Sequence, residues 1–319
     1  METTQVILLL LLGLVLIVVG ANKLVDGASS IARRLRISEF VIGMTIVGIG
    51  TSAPELVVSL VGAIEGNADI AVGNVVGSNI INTLFGLGIT AMIFPLLISQ
   101  SNRRIDIPMH LGFTALVFLL GMSGALLGFG DNTLTRLDSI LLLLFFAGYI
   151  WWMLRSGKVE DDAGTGKISP LWVSLLMILL GLLALIFGGR LFVDNATALA
   201  RMMGASDKFI AITVLAIGTS LPELATCVVA AAKKKGQLAL GNIIGSNIFN
   251  LLLILGVSGV ITPLSFGGMD LADALVLLLA GLLLVTASWT GRNNKLDRFD
   301  GALLLVTWLG YMTWLIYNL

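Results

Sequence analysis

GIGTSAPE, residues Gly48 to Glu55, lies in the middle of a long apolar run, and AIGTSLPE, residues Ala216 to Glu223, lies in the middle of another. Each puts a helix-breaking proline and an ionisable carboxylate where a membrane span has its centre. Outward from Glu55, identities recur at one constant offset. Glu55 matches Glu223 (223 − 55 = 168), and the same step pairs Ser38 with Ser206, Thr51 with Thr219, Pro54 with Pro222, Gly73 with Gly241, Asn82 with Asn250 and Gly88 with Gly256, without a gap. Gly20 with Gly188 and Asp26 with Asp194 carry the match back into the first span of each copy. The chain is therefore an internal duplication, and everything else is read against that period.

The composition fixes the solvent. Of 319 residues, 57% are hydrophobic and only 12% charged, and the mean hydropathy of +1.01 lies far outside the range of a soluble domain. About ten apolar runs of bilayer-spanning length recur, roughly 20 residues each, centred near Val15, Thr51, Ile80, Phe118, Leu144, Leu180, Thr219, Asn250, Leu279 and Val306. The expected fold is an all-α integral membrane protein of ten transmembrane helices. The opening METTQVILLL has no basic n-region and reads as a retained span rather than a signal peptide.

Lysine and arginine gather in alternate connections: Lys23, Arg33, Arg34 and Arg36; Arg103 and Arg104; Arg155, Lys158 and Lys167; Lys233 to Lys235; Arg292, Lys295 and Arg298, against Arg136, Arg190, Arg201 and Lys208 on the other side. Because basic loops stay in the cytoplasm, both termini are expected on the non-cytoplasmic side of a multi-pass cell-membrane protein. Five spans per copy make the second copy enter from the opposite side, so the repeats are inverted: residues 1–154, a cytoplasmic linker at 155–169 and residues 170–319. Secondary transporters follow this plan, with binding sites on interrupted helices near the midplane.

A carboxylate at the centre of a span costs roughly 2.5–3.5 kcal/mol on insertion scales, and no lysine or arginine is expected at the depth of Glu55 and Glu223. Their natural partner is a cation. Thr51, Glu55 and Ser59 follow i, i+4, i+8 spacing, as do Thr219, Glu223 and Cys227; a second ridge carries Asn74, Ser78 and Asn82, repeated by Asn242, Ser246 and Asn250. Proline also frees carbonyls around Gly48 to Ser52 and Ala216 to Ser220. Facing ridges make an oxygen cage suited to calcium or sodium and not to zinc or copper.

Simpler readings stand beside these. The Gly73/Gly77 and Gly241/Gly245 pairs let helices approach closely. Asn74, Asn79, Asn242 and Asn247 divide between helix–helix hydrogen bonding and lining an ion path. Cys227 is a small packed side chain, the only cysteine and so unable to form an internal disulfide. His110, the only histidine, is assigned to the membrane interface ahead of a proton-relay role, and the lysine run at 233–235 to an orientation signal ahead of lipid head-group binding.

At GTSAPE with GNVVGSNIIN, and GTSLPE with GNIIGSNIFN, the chain resembles the sodium/calcium exchanger family of the cation/calcium antiporter superfamily, in its prokaryotic branch; the doubled motif is specific, and the resemblance spans nearly the whole chain. It implies ten helices, four mid-membrane cation sites in a diamond, and alternating access by sliding of the first and sixth helices. Carried over by position, Glu55 and Glu223 bind calcium and also serve sodium. Thr51 and Thr219 add oxygens, Ser52, Ser78, Ser220 and Ser246 serve sodium, Gly48 and Ala216 give backbone carbonyls, and Asn82 and Asn250 complete the middle site. Several relatives, potassium-dependent exchangers among them, have aspartate where this chain has Asn250, which argues against potassium co-transport. The linker is too short for calcium-sensing domains.

The expected function is electrogenic sodium/calcium antiport, with proton/calcium exchange as the alternative and a cation channel as the reading from another class. No cofactor, enzymatic activity or nucleic-acid partner is expected. The chain should work as a monomer whose partners are calcium, sodium and membrane lipid.

Overall fold

The computed structural model describes residues 3–128, 131–156, 168–204, 216–291 and 294–318. Among these the chain is helical. We number the main helices α1 (Thr3–Leu35), α2 (Glu39–Thr51), α3 (Ala53–Ile64), α4 (Ala68–Ile93), α5 (Asn102–Gly121), α6 (Arg136–Ser156), α7 (Leu171–Met202), α8 (Leu221–Ala232), α9 (Gly236–Ile261), α10 (Leu271–Thr290) and α11 (Arg298–Asn318). Eight are long and apolar enough to cross a bilayer, or nine when α2 and α3 count as one bent span. The span expected around Thr219 is described only from residue 216 onward, and most of the expected linker, 157–167, also lies outside the described residues.

The duplication reappears in the element boundaries. Helix α3 and α8 begin at Ala53 and Leu221, α4 and α9 at Ala68 and Gly236, each pair 168 positions apart. Both long helices widen into a π-helical stretch at matching places, Ile81–Gly86 and Phe249–Ile254. Such bulges shift side-chain direction within a continuous helix and recur at functional sites. Here they fall on Asn82 and Asn250.

Local sequence explains the breaks. Ser38 caps α2, its hydroxyl accepting from Val41 N–H at 3.2 Å. Between α2 and α3 the axis turns by 48° at Ser52, and Pro54 enters the first turn of α3, where a missing N–H costs little. Ser220 precedes α8 and Pro222 lies in its first turn, in the corresponding places.

Packing follows the small residues. Helices α1 and α7 run antiparallel with their backbones in contact: a Cβ on Gly13 would lie 2.8 Å from Phe192 N, on Gly20 2.8 Å from Gly181 O, and on Gly27 2.8 Å from Ser174 O. On α9, side chains at Gly241 and Gly245 would collide with the carbonyls of Phe40 and Met44 on α2. The close-approach reading holds for that pair; the positions repeat-related to Phe40 and Met44, 208 and 212, lie outside the described residues. Around Gly73 and Gly77 no described atom lies within 4 Å of an added Cβ, and these glycines line a cavity of about 110 Å³ with Asp69, Asp273 and Tyr311.

Two short antiparallel ladders tie the copies together. Strand β1 (Leu96–Leu97) pairs with β4 (Lys295–Leu296), and β2 (Thr133–Leu134) with β3 (Leu264–Ser265). In each, one strand comes from either half. The basic run also binds structure: Lys233 Nζ lies 2.7 Å from Asp26 Oδ1, and Lys235 Nζ donates to Ser29 Oγ at 2.7 Å, fastening the end of α8 to α1.

Candidate cation site

The two breaks and the two widened helices meet at one buried place. Glu55 and Glu223, in the first turns of α3 and α8, are both 0% exposed. Ser52 Oγ donates to Glu223 Oε1 at 2.9 Å, and Ser246 Oγ lies 3.5 Å from the same oxygen. Among the described residues, both oxygens of Glu55, Oε2 of Glu223, Oγ of Ser220 and Oδ1 of Asn250 are buried without a hydrogen-bond partner. The ion pairs of Lys233 and Lys235 with Asp26 and of Arg190 with Asp194 lie elsewhere. A buried carboxylate that finds neither donor nor counter-charge costs several kcal/mol, so this cluster of oxygens can take up a positive charge from outside the chain.

The carboxylates are held from behind by a repeated amide brace. Asn74 Nδ2 donates to Glu55 O at 3.1 Å and to Ser59 Oγ at 2.9 Å. Asn242 Nδ2 donates to Glu223 O at 3.3 Å and lies 3.2 Å from Cys227 Sγ. Both asparagines thus join helices through their nitrogens, while Asn242 also turns its oxygen to Thr51, and Cys227 is a packed member of that brace.

Thr51 donates to the carbonyls of Val47 at 3.1 Å and Gly48 at 3.3 Å, and its hydroxyl lies 3.2 Å from Asn242 Oδ1 and 3.4 Å from Ser246 Oγ. The repeat-related contact, Ser78 Oγ to Thr219 Oγ1, measures 3.5 Å. The Gly48 carbonyl is not left open, contrary to the simple proline argument: Ser52 N–H still reaches it at 3.1 Å and Ser246 Oγ donates to it at 3.2 Å. Proline removes only its own donor, and the turn at Ser52 keeps the preceding bond. Ala216 begins the short helical turn before Thr219, and only its backbone is described.

Below the glutamates lies an asparagine network. Asn82 Nδ2 donates to Asn247 Oδ1 at 3.2 Å, Asn250 Nδ2 to Asn79 Oδ1 at 3.0 Å, and Asn79 Nδ2 to Asn247 O at 3.1 Å. Asn247 Nδ2 in turn donates to Thr83 Oγ1 at 2.7 Å and lies 3.3 Å from His110 Nε2. His110 is therefore not interfacial; it is 0% exposed and directed at α9. Its signal was present in the sequence, because Asp106, His110 and Thr114 share the i, i+4, i+8 spacing of the two oxygen ridges and all three are buried. Asp106 has its own neighbours, Asn102 Nδ2 at 3.2 Å and Tyr149 OH at 3.5 Å. Among the described residues no group of three or more His, Cys, Asp and Glu side chains converges. The donors at the site are two carboxylates and neutral oxygens, a hard set fitted to calcium or sodium.

Apolar helices of membrane-crossing length around a buried, unpaired oxygen cluster define a multi-pass membrane carrier of cations. Comparison with known proteins agrees. The family described as "Sodium/calcium exchanger protein" matches residues 5–155 and 173–317. The chain is 40% identical over 315 residues to "Putative antiporter CaxA" of Alkalimonas amylolytica, covering 94% of this chain and 95% of that one. It is 32% identical over 351 residues to "Sodium/calcium exchanger MaX1" of Methanosarcina acetivorans, covering 97% and 98%. Among solved structures, the sodium-calcium exchanger NCX_Mj soaked with zero Na+ and Ca2+ superposes with a TM-score of 0.85 at 31% identity, over 98% of this chain and all of that one. The protein belongs to the sodium/calcium exchanger family, whose members are transporters, and its business is cation/calcium antiport.

Proposed function

We propose that the protein exchanges sodium for calcium electrogenically and without potassium, by alternating access through ten transmembrane helices arranged as two inverted five-helix repeats. Residues 1–154 and 170–319 form the repeats, 155–169 the cytoplasmic linker, and both termini lie on the non-cytoplasmic side. One observation carries the reading: among the described residues, Glu55 and Glu223 are fully buried with three carboxylate oxygens unpartnered and no lysine or arginine paired with them. Printed names of relatives, the sodium/calcium exchanger MaX1 and NCX_Mj, support sodium as the counter-ion.

Calcium takes about 6–8 oxygens in flexible geometry. Glu55 and Glu223 neutralise it, Thr51 and Thr219 contribute further oxygens, and Asn82 and Asn250 close the middle site. Sodium uses the same carboxylates with Ser52, Ser78, Ser220 and Ser246 and the carbonyl of Ala216; the Gly48 carbonyl joins them once Ser246 Oγ turns from it to the ion. Overlap of the two ligand sets is what couples the ions. With neither bound, two bare carboxylates would have to cross the occluded state in a dry core, and that penalty blocks uncoupled return. Filling the site with calcium or with sodium removes it. Asparagine at 250 leaves the site one negative charge short of an aspartate-bearing one, which disfavours an additional potassium ion.

Glu55→Gln or Glu223→Gln in reconstituted vesicles should each abolish sodium-driven calcium flux while the variant still folds, since glutamine removes charge at nearly constant volume. Wild-type flux in either variant would refute the assignment.

A further inference from the structure

An amide side chain offers a donor at one end and an acceptor at the other, so whatever bonds one end decides what the other presents. On one branch of the asparagine network a backbone group decides. Asn79 Nδ2 donates to the main-chain carbonyl of Asn247 at 3.1 Å, and a carbonyl only accepts. Asn79 must therefore meet Asn250 with its oxygen, which accepts from Asn250 Nδ2 at 3.0 Å. The oxygen of Asn250 is left over, buried and unpartnered. Its direction is fixed by groups that cannot reverse.

The repeat-related branch has no such fixed end. Asn82 Nδ2 donates to Asn247 Oδ1 at 3.2 Å, and Asn247 Nδ2 faces Thr83 Oγ1 at 2.7 Å and His110 Nε2 at 3.3 Å. A threonine hydroxyl donates or accepts as required, and a ring nitrogen does either according to tautomer. The sense of this relay is settled at His110. The duplication does not supply the device twice, for the position 168 beyond His110 is Leu278.

We propose that His110 is a positioning residue that acts through Asn247 to turn the oxygen of Asn82, rather than its NH2 group, toward the transported cation. This rests on the reading of Asn82 as a cation ligand. For Nε2 to accept from Asn247, the ring proton sits on Nδ1. Nδ1 is buried without a partner, so this tautomer leaves an N–H unpaired, and the cation's attraction for the Asn82 oxygen offsets that cost. With the proton on Nε2 the relay runs backwards. Asn247 turns its oxygen to His110 and its nitrogen to Asn82, and Asn82 then points NH2 at the cation, which repels it. Imidazole tautomer and cation affinity are thus one linked equilibrium, confined to the first-repeat asparagine.

His110 is the sole histidine of the chain, so nitrogen NMR of full-length, 15N-histidine-labelled protein in nanodiscs reads it without assignment. Calcium-saturated protein should show the neutral Nδ1–H tautomer; an Nε2–H tautomer in that state overturns the proposal. In vesicles, His110→Leu should raise the KM for calcium about 10-fold, the low end of what losing an outer-shell partner costs, with kcat changing much less. His110→Gln, whose amide oxygen accepts from Asn247, should restore most of the affinity. A His110→Leu variant with wild-type KM overturns the proposal even beside the expected tautomer. Glu55→Gln, measured in parallel, reports separately on the exchange reading, because the ring tautomer is observed without any transport.

Discussion

At the scale of single residues, the account turns on which polar atoms are paired and which are not. Glu55 and Glu223 were legible in the sequence because an ionisable group in an apolar span is costly enough to need a reason. The asparagines were legible only as a ridge. Nothing in their spacing says that Asn74 and Asn242 brace the glutamate backbones while Asn79 and Asn247 hold Asn250 and Asn82, since one helix face serves both purposes. His110 was misplaced because a lone histidine near charged neighbours looks interfacial until the helix facing it is known. The departure at Asn250 gives a prediction at this scale. Asn250 donates to an oxygen of Asn79 that cannot be reversed, so in Asn250→Asp the new carboxyl keeps that bond only while protonated. Its exchange rate relative to wild type should fall as pH rises through the carboxyl's titration and recover on acidification. A constant ratio across pH would contradict the orientation described.

At the scale of elements, the proline breaks were readable and the π-helical stretches were not. A Gly–Thr–Ser–x–Pro–Glu run states its own discontinuity through the missing donor. The widening at Ile81–Gly86 and Phe249–Ile254 has no proline and no breaker common to both copies, since Gly86 closes the first and Ile254 the second. The glycine pairs are read from one copy: Gly241 and Gly245 are in tight contact with α2, whereas most of the stretch repeat-related to α2, the one that would face Gly73 and Gly77, lies outside the described residues. Gly245→Val should therefore lower stability by about 2–3 kcal/mol or more, as overpacking against immovable backbone does, seen as a reduced unfolding temperature in detergent. Gly148→Ala, with nothing within 4 Å of the added carbon, should match wild type or exceed it by roughly 0.5–1 kcal/mol. Equal destabilisation of both would remove the packing argument.

At the scale of the whole molecule, the duplication was the most legible feature, because an offset of 168 that aligns glycine, proline, glutamate and asparagine together has no local explanation. The structure adds what a period cannot contain. Ladders β1–β4 and β2–β3 cross between the halves, and the lysines after α8 grip α1 through Asp26 and Ser29, so that an orientation signal is also a fastening. The orientation itself is testable by labelling. Cys227 is fully buried and should give a silent background to a membrane-impermeant maleimide. In right-side-out vesicles Thr3→Cys and Glu65→Cys should label from outside and Ala232→Cys only after permeabilisation; the reverse pattern would invert the proposed topology.

Sodium as the driving ion is the central claim, and uptake of radioactive calcium into sodium-loaded proteoliposomes, at clamped pH with external sodium, potassium or choline compared, tests it most directly. The account predicts calcium accumulation that requires the outward sodium gradient, is abolished by equal external sodium and is indifferent to exchanging potassium for choline. Accumulation that ignores sodium and follows an imposed pH gradient would contradict it, and would make Glu55 and Glu223 the centre of a proton/calcium exchanger instead.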